Sequence, residues 1–165
     1  MTPRAGLITA IAVALTASTP AKDIGFYKSK IPGTGGKEGK VDLVFQGDAK
    51  VIAVSQYGNS IALVPYSAIE KLGYSYSKRH RVKEGVQAMI GGVNGIGSIV
   101  TFPLGVVAGS VLMVTKSKSH WFYIDYTDVS GSHEVILRLD KSEYQKILDT
   151  AKALTGKDVD MLPEQ

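Results

Sequence analysis

The chain has 165 residues, of which 44% are hydrophobic and 21% are charged, and its formal net charge at pH 7 is +4. This length suits one domain, and so small a charge excess does not by itself indicate nucleic-acid binding. The sequence contains no cysteine, which excludes disulfides, thiolate metal sites, a cysteine nucleophile and a lipidated cysteine.

The N-terminal residues 1–21 have the pattern of a signal peptide. Arg4 supplies a positive charge, Ala5 to Ala17 form an apolar run, and small residues such as Ala21 fit a cleavage site. The run is shorter than the about 20 residues that span a bilayer, although an uncleaved anchor is the alternative. We therefore predict an exported protein of the periplasm or cell envelope.

Residues 22–40 are rich in Lys, Gly, Pro and Ser and lack an apolar period. This composition predicts a flexible linker. Ordered structure is expected to begin near Val41 and to continue to residue 159.

Four strands are predicted in the first half of the folded region. Apolar and polar residues alternate or cluster between turn signals, which is typical of strands. The predicted strands cover residues 41–45, 50–55, 60–64 and 69–76. A helical turn over Ala68 to Leu72 is an alternative for the start of the fourth.

The second half has a clearer pattern. Residues 120–127 and 133–139 alternate on either side of a turn at 128–132, which predicts a β-hairpin. Asp140 and Glu143 then have capping-box spacing, and Gly156 is placed to end a helix. The predicted helix has an apolar stripe made by Tyr144, Ile147, Leu148, Ala151 and Leu154. Residues 160–165 are predicted to form a polar tail.

These elements predict an α+β fold in which a sheet or partly open barrel is closed by a C-terminal amphipathic helix. A resemblance to known proteins covers about residues 40–159. Its strongest part consists of the run from Lys116 to Tyr126, the strand Val135–Lys141, and Leu154 to Lys157. The chain resembles uncharacterised exported bacterial proteins with a pleckstrin-homology-like or GRAM-like domain. The resemblance implies that fold and no activity. The predicted first hairpin offers only Lys50, so phosphoinositide binding in the manner of lipid-binding relatives is not indicated.

The most unusual feature is a Gly-rich, charge-free insertion over residues 85–115. Its alternatives are one membrane-spanning helix, a helical hairpin broken near Pro103, and extended structure with a turn at residues 93–95. Because the flanking strands belong to one predicted domain, the insertion is expected to leave and return on the same side. Whether it contacts lipid, a partner or its own core stays open.

The candidate contact residues are the basic residues that flank the insertion, large apolar residues within it, and an aromatic residue beside the second basic pair. Basic and aromatic side chains of this kind suit a membrane–water interface. They are Lys78, Arg79, Arg81, Lys83, Ile99, Phe102, Leu104, Lys116, Lys118 and Trp121. The insertion also has small residues at helical spacing, which allow close packing: Gly91, Gly95, Gly105 and Gly109.

Catalytic patterns are weaker. The glycines from Gly91 to Gly97 are similar to the dinucleotide turn of short-chain dehydrogenases, but that turn needs a βαβ unit and a hairpin follows here. His120 and His133 flank the two ends of the predicted hairpin, and a close approach across it is an alternative to two separate surface residues. No catalytic residue, metal site or cofactor is predicted.

The sequence therefore predicts a non-catalytic interaction module of the cell envelope that contacts a membrane surface or a protein partner through residues 85–115. A small-ligand carrier or enzyme with a barrel cavity is one alternative. A homo-oligomer assembled through the Gly-rich insertion is another.

Overall fold

The computed structural model describes residues 22–33, 38–79, 87–91, 99–102 and 114–163. These residues form a β-rich α+β fold with one helix, as predicted. The strands are β1 (Ile24–Pro32), β2 (Glu38–Gln46), β3 (Val51–Gln56), β4 (Asn59–Pro65), β5 (Ile69–Arg79), β6 (Gln87–Gly91), β7 (Ile99–Phe102), β8 (Val114–Asp128), β9 (Gly131–Leu139) and β10 (Val159–Met161). The helix is α1 (Tyr144–Thr155), and a 3-10 turn at Tyr66–Ala68 precedes β5.

The strands form one sheet that does not close. Its order is β10-β5-β8-β9-β1-β2-β3-β4, with β6 paired to β9 and β7 paired to β6 outside this path. Neighbours along the path are antiparallel except β10 and β5, which are parallel. Two consecutive hairpins, β1–β2 and β3–β4, therefore lie beside a second group built from β5, β8 and β9.

The hydrophobic core lies between one face of the sheet and α1. Alternate residues of β2 and β3 turn inward, as Leu43 and Phe45 do, because side chains alternate across a strand. Ile147 and Ala151 of α1 are fully buried against this face. Tyr144, Leu148 and Leu154 pack at its margin, which confirms the predicted apolar stripe.

The predicted strands and the hairpin are confirmed. Residues 41–45, 50–55 and 60–64 fall largely in β2, β3 and β4, and β5 runs from Ile69 with no helical turn at its start. In the hairpin, His120 pairs with Leu139 and Asp128 pairs with Gly131.

The predicted linker over residues 22–40 is wrong, because β1 and the start of β2 lie within it. Ile24 pairs with Phe45 and Pro32 pairs with Glu38. A shift of register between Phe26 and Ser29 moves the inward-facing positions out of strict alternation, since a bulge adds a residue to one strand. Because of this bulge, the sequence of β1 does not show the two-residue alternation by which a strand is predicted.

The predicted polar tail over residues 160–165 also needs correction. β10 pairs in parallel with β5 through Val159 and Leu72, and the Leu162 backbone N–H donates to the Tyr74 carbonyl at 2.7 Å. A three-residue edge strand is too short to leave an alternating pattern, so only the fold identifies it.

The end of α1 is as predicted, but its start is not. Gly156 has φ +69° and donates its N–H to the Lys152 carbonyl, as a left-handed helix end requires. At the other end, Glu143 occupies the cap position without a side-chain cap bond. Asp140 instead accepts hydrogen bonds from the N–H and hydroxyl of Ser142, so it shapes the turn that leads into the helix.

Candidate functional site

The two ends of the segment between β5 and β8 lie side by side. Ser77 pairs with Ser119, and Arg79 pairs with Val114 across the same two strands. Neighbouring strands are about 5 Å apart, whereas the ends of a membrane span are separated by about 30 Å of hydrocarbon. Arg79, Gln87 and Val114 all belong to one sheet, which does not fit a single membrane-spanning helix over residues 85–115.

Two parts of the Gly-rich insertion are strands rather than helices. β6 and β7 pair as an antiparallel hairpin in which Gly91 lies opposite Ile99. β6 also runs parallel to β9, with Gln87 opposite His133. A helical hairpin is therefore wrong for residues 87–91 and 99–102, and Ile99 and Phe102 belong to a strand of the domain's own sheet.

Exposed lysines and a tyrosine surround the point where the segment leaves the sheet. We call Lys78 of β5 and Lys118 of β8 the basic rim. Both are exposed, and the Lys118 ammonium lies 5.8 Å from the ring centre of Tyr76, whose side chain is half exposed. Arg79 and Lys116 lie in the same two strands. The structure thus brings the described members of the two predicted basic clusters to one end of β5 and β8.

Some predicted contact residues lie outside the described residues. These are Arg81, Lys83, Leu104, Gly95, Gly105 and Gly109. The predicted signal peptide, residues 1–21, lies outside them as well.

Trp121 was predicted to reach the interface, and this is wrong. Its side chain is 0% exposed, and its indole N–H donates to the Ser77 carbonyl at 3.2 Å. Trp121 and Phe122 are consecutive residues of β8, so they lie on opposite faces of the sheet, and both are buried. Both faces of β8 are therefore covered here, which a sequence pattern for a half-exposed strand does not anticipate.

A stack of aromatic rings lies next to the basic rim, and we call it the His120 stack. The His120 ring lies between Tyr144 of α1, with centroids 3.9 Å apart, and Tyr76 of β5, with centroids 4.8 Å apart. The hydroxyl of Tyr74 is 2.7 Å from His120 Nδ1. The stack joins the first residue of α1 to β5 and β8, and aromatic pairs at these distances contribute beyond their buried area.

The surroundings of the stack shift two pKa values. Burial, followed by the positive charge of Lys141, lowers the pKa of His120, while Asp140 acts in the opposite direction. Burial, followed by the neighbouring Tyr144 and Tyr76, raises the pKa of Tyr74 to about 12. At neutral pH the stack therefore holds an uncharged imidazole against a protonated hydroxyl.

The correct first hairpin carries more positive charge than the sequence indicated. Lys30 of β1 pairs with Lys40 of β2 on one side and with Arg138 of β9 on the other. Glu38 contacts two of these cations, Arg138 at 2.6 Å and Lys30 at 3.3 Å. This row was not predicted from the sequence, because residues 22–40 were assigned to a linker. The apolar residues Phe26 and Ile31 were the signal that could have identified β1.

The second histidine takes part in a turn rather than a catalytic triad. His133 Nε2 is 2.9 Å from Asp128 Oδ1 and 2.8 Å from Ser130 Oγ. In a serine-hydrolase triad the carboxylate and the hydroxyl contact opposite ring nitrogens, whereas here both contact Nε2. The arrangement closes the β8–β9 turn.

The two histidines are also well separated. His120 pairs with Leu139 at one end of the hairpin, and His133 pairs with Tyr126 at the other. Six residues of strand correspond to about 20 Å, so the two rings cannot share a metal ion. The described ranges contain no group of three side chains suited to holding a metal.

No protein-family model matches the chain, and no curated protein matches it significantly. Within the ranges that the structure describes, no helix combines the length and apolarity needed to cross a membrane.

Proposed function

We propose that this chain is a non-catalytic, exported interaction module of the cell envelope that contacts an anionic membrane surface at the basic rim and the adjoining Gly-rich segment. The observation that carries the proposal is the pairing of Arg79 with Val114. It brings both ends of the stretch between β5 and β8, which contains most of the charge-free segment, to one end of the sheet, while Gln87 of that segment lies opposite His133 at the other end. Lys78 and Lys118 are exposed at the end where Arg79 and Val114 lie.

The order of the strands supports a pleckstrin-homology-like architecture for this module. Four consecutive antiparallel strands lie beside an antiparallel group of three, and a C-terminal helix packs on the core. This order agrees with the fold that the resemblance implies. In that architecture β6 and β7 are additional strands, inserted in the chain between β5 and β8.

The distribution of charge supports an anionic partner. A second group, Lys30, Lys40 and Arg138, lies in one row with Trp121 on the face of the sheet opposite to His120, and Glu38 pairs with two of its members. Each lysine or arginine near an anionic lipid surface contributes about 1 kcal/mol, and the effect falls off within a Debye length. A few cations at one end of a small domain are therefore enough for a reversible, salt-dependent contact.

The test is flotation with vesicles of phosphatidylcholine and phosphatidylglycerol. Replacing both rim lysines, Lys78→Gln with Lys118→Gln, removes two charges from the contact. At about 1 kcal/mol per charge the partition coefficient should fall roughly 30-fold, and added salt should weaken binding of the unaltered protein.

A matched variant, Lys50→Gln with Lys71→Gln, removes the same charge from the other end of β5. Lys50 lies there because its carbonyl accepts the N–H of Tyr66, just before β5 begins. Lys71 forms only an exposed ion pair with Asp160. Equal losses of binding in the two double variants, or flotation independent of lipid charge, would contradict the proposal.

A further inference from the structure

His120 is located where a change in its charge alters the proposed contact surface. The ring is partly exposed, and His120 pairs across the strands with Tyr76. Tyr76 is two residues from Lys78 along β5, and His120 is two residues from Lys118 along β8. Protonation would therefore place a positive charge beside the two lysines of the basic rim.

The contacts of the ring allow it to be charged without leaving the stack. In the neutral ring Nδ1 can accept a hydrogen bond from the hydroxyl of Tyr74, and in the charged ring Nδ1 donates to the same oxygen. The centroids of the Tyr144 and Tyr76 rings lie 3.9 and 4.8 Å from that of His120. An aromatic face attracts a cation, so both protonation states fit the same geometry.

The groups that face His120 come from every element packed against it. They are Tyr74 and Tyr76 from β5, Asp140 and Lys141 from the turn after β9, and Tyr144 from α1, and the ammonium of Lys118 from β8 lies over the neighbouring Tyr76 ring. Burial and Lys141 hold the pKa of His120 below its ordinary value of 6.5, against the opposing effect of Asp140. The imidazole is therefore uncharged at neutral pH, and acidification is needed to protonate it.

We propose that His120 makes the contact with an anionic surface pH-dependent, because protonation adds a third positive charge to the basic rim and strengthens binding as the solution is acidified. The inference rests on the proposed function and adds its regulation. By linkage the effect is reciprocal: a bound anionic surface increases the affinity of His120 for a proton by the same factor.

The experiment measures partition of the protein onto phosphatidylcholine–phosphatidylglycerol vesicles at about pH 7.5 and about pH 5.5. The lipid phosphate is charged at both values. A full additional charge near the surface strengthens binding at most about fivefold, so acidification should strengthen binding in proportion to the protonated fraction of His120. The variant His120→Gln should lose this gain and bind like the unaltered protein at the higher pH.

A matched variant, His133→Gln, removes the other described histidine, at the far end of the hairpin, and should keep the gain. A second measurement needs no variant: the His120 ring resonance, followed by NMR against pH, should titrate below 6.5 in free protein and at higher pH with vesicles present.

The outcomes separate the two proposals. Absence of binding at both pH values overturns the proposed function and this inference with it. Equal binding at both values overturns the inference alone, as does a titration of His120 that vesicles leave unchanged. Retention of the full gain in His120→Gln, or its loss in His133→Gln, also overturns the inference.

Discussion

The same side-chain motif shapes both ends of β9. Asp128 accepts hydrogen bonds from the N–H and hydroxyl of Ser130, at 2.7 and 2.6 Å, where β8 turns into β9. Asp140 accepts the equivalent bonds from Ser142 where β9 turns toward α1. Aspartate favours such turns because its carboxylate can bind the backbone two residues later. Hydrogen bonds from Ser130 lower the pKa of Asp128 to about 2.

This pKa predicts an acid-sensitive turn. The folded state holds the pKa of Asp128 below its ordinary value of 3.8, so its stabilisation is present above pH 3.8 and is lost as the pH falls toward 2. Asp128→Asn should lower the midpoint of urea unfolding near neutral pH. The difference from the unaltered protein should shrink between these two values.

Asp149→Asn is the matched control, because Asp149 lies on the exposed side of α1 and contacts only Gln145 among the described residues. Its effect on the urea midpoint should be small and nearly constant with pH. A deficit of Asp128→Asn that stays the same down to pH 2 would contradict the assignment.

At the level of elements, α1 ends on a backbone conformation that side chains disfavour. Gly156 has φ +69°, and a Cβ built on it meets no atom within 4 Å. Space is therefore not the constraint, and the requirement for glycine comes from the left-handed conformation alone.

Two substitutions at this position separate conformation from packing. Gly156→Ala should reduce the free energy of unfolding by about 1–2 kcal/mol, the cost of a left-handed residue with a Cβ. Gly156→Asn should cost less, because asparagine adopts this conformation more readily. Urea denaturation measures both, and an alanine variant as stable as the unaltered protein would contradict the argument.

At the scale of the whole molecule, the main path of strands would end at β5 on one side and at β4 on the other, and the chain's C-terminal segment covers β5. β10 pairs with β5 from Leu72 to Tyr74, and the Leu162 side chain packs over Gly73. An uncovered edge strand offers unpaired N–H and C=O groups to other chains. The C-terminal segment thus protects β5 as well as adding contacts.

Removing residues 159–165 should lower stability and promote self-association through the uncovered edge of β5. Size-exclusion chromatography with light scattering would detect the larger species. Leu162→Ala keeps the backbone pairing and loses only half-buried packing, so it should cost about 1 kcal/mol and leave the protein in its original oligomeric state. Association of both proteins to the same extent would contradict a role for the edge.

Local signals predicted much of the fold. The hairpin of β8 and β9 was predicted because its residues alternate on either side of an Asp-Val-Ser-Gly turn, and α1 because its apolar stripe has helical spacing. β1 was missed because a bulge after Phe26 breaks its alternation. β10 was missed because three residues carry no period.

The candidate site, like the fold, was predicted only in part from the sequence. The sequence showed basic residues on both flanks of an apolar segment, and it identified Lys78 and Lys118 as candidates. It could not show that His120 stacks between Tyr76 and Tyr144, since those three residues come from β5, β8 and α1.

The amino-acid sequence by itself determined the class of fold, the extent of most strands and of α1, and the charge-free character of residues 85–115, because each depends on neighbouring residues along the chain. Only the tertiary structure decided that Trp121 is buried, that residues 24–32 form a strand, and that Arg79 of β5 lies beside Val114 of β8. These features depend on pairing and packing between distant parts of the chain. Periodicity does not encode that information.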